Sequence, residues 1–119
     1  MDKIAQMLAC AVQLTGLPPA DVSMIELREM KPPAAVIERF DLPENIEGFY
    51  VLWVTGKVTI WGESFAIQVH EMVHHLLRMN GQIKHSEELP RMAEAQAWRC
   101  ETGITLKLDA RAKIEGEKE

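Results

Sequence analysis

Residues 49–80 read FYVLWVTGKVTIWGESFAIQVHEMVHHLLRMN, and this stretch decides how the chain is organised. Its first half, Phe49–Thr55 and Val58–Trp61, is aromatic and β-branched, the composition of strands. Gly56-Lys57 stands between the two runs and suits a tight II′ turn. In that register Thr55 faces Val58, Trp53 faces Ile60 and Leu52 faces Trp61. Apolar side chains then lie on both faces of the hairpin. One face packs on helices; the other is covered by the N-terminal part of the chain or offers a contact surface, including one to a second copy.

The second half changes period. Ser64 is an N-cap, and the helix behind it runs to about Asn80 and stops at Gly81. Phe65, Val69, Met72, Val73 and Leu76 share one apolar stripe on the helical wheel. His70 and His74 fall nearly opposite. Residues four apart project from one face, so the two imidazoles can grip one metal ion. Glu71 between them can polarise a water on that metal, the logic of an H-E-x-x-H helix.

The surrounding chain is built to support one domain. Its 119 residues leave little room for a second, and an apolar fraction of 47% is ordinary for a packed core. The net charge of −5 has its acids scattered, which argues against nucleic acid as a partner. No apolar run is long enough to span a bilayer, so no membrane role is expected. The N-terminus lacks a basic region ahead of a long apolar core, so no signal peptide is expected. Cys10 and Cys100 are only two and far apart, which reads as two buried thiols in a reducing cytoplasm rather than a disulfide.

Upstream, Lys3–Leu14 has helical spacing and ends at Gly16. Asp21–Met30 alternates loosely as a strand, and Ala34–Phe40 forms a short helix between prolines. Downstream, Ser86-Glu87-Glu88 starts a helix that runs to about Thr102. Its Glu94, Trp98 and Glu101 share a face. The short connection Gly81–His85 makes this helix antiparallel to the histidine helix, so an acidic residue on it can supply the third ligand. Residues 1–109 are expected to form the domain and residues 110–119 a frayed tail.

H-E-x-x-H with a glutamate on the next helix resembles the gluzincin-type zinc metallopeptidases. Glu94-Ala95-Gln96-Ala97 also resembles the E-x-x-A pattern of small bacterial and phage zincin-like proteins. The resemblance covers about residues 49–101. It implies a compact α+β zincin-like domain: an N-terminal helix, a small sheet with a β-hairpin, an active-site helix and a ligand-bearing helix. It further implies that His70, His74 and Glu94 bind Zn2+, that Glu71 is general base, and that the substrate is a protein or peptide. No Gly-x-x-His follows the motif, so the metzincin pattern is excluded.

Glu101, on the same face, is the competing third ligand or else an acceptor that orients a ligand histidine. Tyr50, His75, His85 and Arg91 are candidate donors to a developing oxyanion. Trp98 is expected on the cleft wall, and Val58–Trp61 as the edge strand that pairs with an extended peptide. The alternative is a zinc-binding regulatory or interaction module with little or no hydrolysis.

Overall fold

Asp2 and Gly16 bracket the first helix. The Asp2 carboxylate accepts the Ala5 N–H at 2.9 Å, and α1 runs from Lys3 to Thr15. Gly16 takes the left-handed conformation (φ 73°) that lets its N–H reach the Val12 carbonyl. The computed structural model describes residues 2–82 and 84–101; the side chain of Glu101 lies outside it, as do the expected boundary at residue 109 and tail at 110–119.

Among the described residues the chain is an α+β protein with five helices and a three-stranded mixed sheet. The strands are β1 (Ile25–Arg28), β2 (Gly48–Leu52) and β3 (Val58–Gly62), with α2 (Ala34–Arg39) between the first two. Their order is β1-β3-β2, with β1 parallel and β2 antiparallel to β3. β1 is shorter than the expected strand because the Asp21 carboxylate accepts the Ser23 N–H at 2.9 Å and turns the chain before Ile25.

The hairpin differs in register from the expected one. Leu52 faces Val58, Tyr50 faces Ile60 and Phe49 faces Trp61. The loop holds three residues rather than two. Gly56 N–H bonds to Trp53 O, Trp53 N–H bonds to Lys57 O, and Gly56 sits at φ 89°. This is a type I turn completed by a left-handed glycine. Trp53 therefore leaves the ladder, and its indole N–H donates to Thr59 Oγ1 at 2.9 Å.

Each face of the sheet has a distinct cover. Ile25, Val58 and Ile60 join the core with α1 and the helix that follows β3. On the other face Phe49 stacks on Trp61, while Phe40, at the end of α2, packs against Phe49 and Trp53. Trp61 is only 6% exposed. Part of the second apolar face is thus covered within the chain by Phe40, from the N-terminal part of the chain, one of the two outcomes expected for it.

The helix α3 (Phe65–Met79) matches the expected one. Ser64 Oγ accepts the Ile67 N–H at 3.2 Å, and Gly81 follows its end at φ 88°. Val69, Met72, Val73 and Leu76 are fully buried against Met7, Cys10 and Ala11 of α1 and the inner face of the sheet. Each such side chain is worth roughly 1.5–3 kcal/mol of burial.

The next helix is not continuous. It divides into α4 (Glu88–Gln96) and α5 (Trp98–Glu101). At the junction the N–H of Ala97 bonds to Glu94 O and that of Cys100 to Ala97 O, three-residue spacings that tighten the helix. Cys100 is bonded to Cys10, with Cα atoms 5.6 Å apart, so a disulfide ties α5 to α1. This overturns the expectation of two separate buried thiols. Disulfides persist in oxidising surroundings, so the cysteine argument for a reducing cytoplasm loses its basis. No helix among the described residues is long and apolar enough to cross a membrane.

Candidate metal centre

His70 and His74 project from α3 on the side away from its buried stripe, each with a side chain 13% exposed. One carboxylate bridges them. Glu87 Oε2 is 2.9 Å from His70 Nε2, and Glu87 Oε1 is 3.0 Å from His74 Nε2. Ligand atoms of these three residues lie within 4.8 Å of one another and could hold a metal ion. Glu87 occupies the N-cap position of α4 yet makes no capping bond there. Its carboxylate is spent on the histidines instead.

Glu94, the expected third ligand, has a different place. Its Oε1 lies 2.7 Å from His70 Nδ1, the other ring nitrogen. The start of α4 faces the Nε2 edge of the histidines, and Glu94, two turns along, reaches the Nδ1 edge. Glu94 thus fixes the orientation of His70. A neutral imidazole carries one N–H. Carboxylates at both nitrogens of His70 therefore need either a second proton or a cation between Nε2 and Glu87. Two imidazoles and a carboxylate are a donor set suited to a borderline dication, with a coordination position left open.

Glu71 is 8% exposed, and its Oε2 is 4.0 Å from His70 Nε2. Burial, with the charges of Glu87 and Glu94 adding to it, pushes its carboxyl up to about 8. Gly48 makes room for it: a Cβ there would stand 2.5 Å from Ile67 Cγ2 and 3.0 Å from Glu71 Oε2. For Glu87, burial acts upward, but the imidazoles of His74, His70 and His85 outweigh it and lower its pKa.

The expected oxyanion donors divide. His75 is 2% exposed and is held at both nitrogens. Its Nε2–H donates to Asp21 O at 3.1 Å, since a carbonyl can only accept, so Nδ1 accepts the Tyr50 O–H at 3.0 Å. Burial lowers the pKa of His75. His85 is exposed at the rim, stacks on His74 at 5.1 Å, and donates to Glu87 Oε1 at 2.7 Å. Arg91 Nε is 3.8 Å from Glu87 Oε2.

His70, Glu71, His74, Glu87 and Glu94 line a cleft of about 790 Å³ between β2, α3 and the connection to α4, with Tyr50, His85 and Arg91 but without His75. Trp98 is not among its walls and is 60% exposed. The tightened turn at Ala97 takes Trp98 off the Glu94 face. The Glu101 side chain lies outside the described residues. The edge strand is also reassigned: β3 is central, and β2 has a partner on one side only. The bonded pair Trp53–Lys57 sets the alternation, so Gly48, Tyr50 and Leu52 direct their backbone N–H and C=O away from β3.

Glu87 and Gly48 are the site residues that sequence reasoning misses. Glu87 reads as one of two acids favouring a helix start. Its signal is weak: an acid just before a helix, where a loop can aim it. Compared with protein-family models, curated proteins and solved structures, the chain matches none of them.

Proposed function

We propose that this chain is a compact, zincin-like, zinc-dependent peptidase acting on a protein or peptide. One observation carries the reading: His70 has a carboxylate on each ring nitrogen, while Glu71 lies buried beside it in the same cleft. His70, His74 and Glu87 would hold the metal, and Glu94 would fix the His70 ring. A bound zinc ion would polarise the substrate carbonyl and activate water toward it. Glu71 would take the proton of the attacking water and pass it to the leaving amine. The outward backbone of Gly48 and Tyr50 would pair with an extended substrate.

One observation favours a zinc-binding interaction module with little hydrolysis. Tyr50 and His75 are committed to each other, and the remaining donors, His85 and Arg91, both face Glu87. Glu71→Gln separates the two readings. In a peptidase it keeps zinc and lowers turnover by roughly 10²–10⁴. In a module it changes no partner binding, and the unaltered protein shows no cleavage. Failure to retain stoichiometric zinc after dialysis removes both.

A further inference from the structure

His70, His74 and Arg78 recur every four residues on α3 and all line the cleft. Arg78 stands one turn beyond His74, about 6 Å along the axis. Lys84, on the connection to α4, lines the same cleft. Neither cation makes an ion pair among the described residues, whereas Arg91 faces Glu87. The Tyr50 hydroxyl reaches His75 Nδ1 at 3.0 Å, and His75 stands one turn before Arg78 on α3, so Tyr50 and Arg78 share one end of the cleft.

The acids of the cleft face its imidazoles rather than these two cations. Glu94 is engaged by His70, and Glu87 by three imidazoles. The exposed Glu47 lies beyond Gly48, which packs against Ile67 and Glu71 at the other end of α3. β2 therefore runs along α3 in the same sense, with its Gly48 end acidic and its Tyr50 end basic. That local reversal stands out in a chain whose net charge is −5.

We propose that the cleft takes an acidic peptide segment, with an Asp or Glu carboxylate paired to Arg78 and a second acidic group paired to Lys84. The inference rests on the peptide-binding reading above. An extended peptide advances about 3.3 Å per residue. The turn from His74 to Arg78 thus spans about two peptide residues, and residues two apart face the same way. An acid two positions from the bond held at the histidines reaches Arg78. Its partner toward the loop reaches Lys84.

Binding tests this independently of turnover. The probes are fluorescein-labelled, alanine-based decapeptides carrying two Glu, two Gln or two Lys at matched positions. Fluorescence anisotropy is read with zinc-loaded protein at low salt. The Glu peptide should bind about tenfold more tightly than the Gln peptide, as two partly exposed ion pairs allow, and the Lys peptide more weakly still. The preference should shrink as salt is raised. Arg78→Gln with Lys84→Gln should reduce it to about threefold or less, while Lys57→Gln, beside the hairpin loop, should leave it intact. Equal affinities, no binding by any probe, or a preference that stays above about threefold after the double substitution would overturn the proposal. Cleavage of the Glu peptide is scored separately: an intact preference without cleavage supports acidic binding and counts against the peptidase reading alone.

Discussion

The Glu94 carboxylate lies 2.7 Å from Nδ1 of His70, while Glu87 lies 2.9 Å from Nε2 of the same ring. The two glutamates therefore have separable roles. Under the proposed zinc reading, Glu94→Ala leaves His70, His74 and Glu87 in place and removes the group that orients His70. Zinc affinity should fall about 10–100-fold. Glu87→Ala removes one of the three candidate ligands and should cost more. Competition with a chromogenic chelator measures both. A larger loss for Glu94 would restore it as the third ligand.

The elevated carboxyl of Glu71 gives metal-free protein a distinctive pH response. Its folded pKa, about 8, is above the ordinary glutamate value of 4.5. Between these values the folded state binds more protons than the unfolded state, so stability falls as pH rises. His74 and His75 act oppositely. Burial lowers both, so the unfolded state takes up protons first and stability falls as pH drops below about 6.5. Urea melts of chelator-treated protein at pH 5, 6.5 and 8 resolve the Glu71 part by difference. Glu71→Gln should gain stability relative to the parent as pH rises. A constant difference would show that Glu71 titrates normally.

Gly48 is where the sheet meets the site. A methyl group there would approach Ile67 Cγ2 to 2.5 Å and Trp61 O to 3.1 Å. Gly48→Ala should cost about 1–3 kcal/mol, the usual range for overpacking. Adding Ile67→Ala removes the nearest clashing atom, so the pair should be less destabilised than the sum of the single changes. Strict additivity in thermal melts would mean that β2 and α3 do not touch as described.

The disulfide between Cys10 and Cys100 closes a loop across 90 positions of sequence. Chain entropy assigns a loop of this size roughly 4–5 kcal/mol. Reduction, or Cys10→Ser with Cys100→Ser, should lower the melting temperature clearly. Mass spectrometry after alkylation without reductant should find no modified thiol. Two alkylated cysteines in freshly purified protein would contradict the pairing.

The elements encoded by local pattern were legible. Ser64, the stripe from Val69 to Leu76, and Gly81 define α3, because capping and helical period depend only on neighbours in sequence. The same period separates His70 and His74 from the core. The hairpin was legible as two strands but not in register. Whether Gly56 closes a two-residue or a three-residue loop is decided by its left-handed φ, and that choice moves Trp53 out of the ladder. Trp98 was misplaced for a related reason: the wheel carries past Ala97, where the hydrogen bonds tighten.

By itself, the sequence determined an α+β chain, the histidine face of α3 and the place of Glu71 between the two imidazoles. Tertiary structure alone decided that Glu87 bridges those imidazoles, that Glu94 turns to the far nitrogen of His70, that β2 is an edge strand and β3 the central one, and that Cys10 meets Cys100. The physical reason is distance along the chain. Periodicity and capping act over a few residues, whereas these pairings depend on the path of loops and on which faces of separate elements pack together.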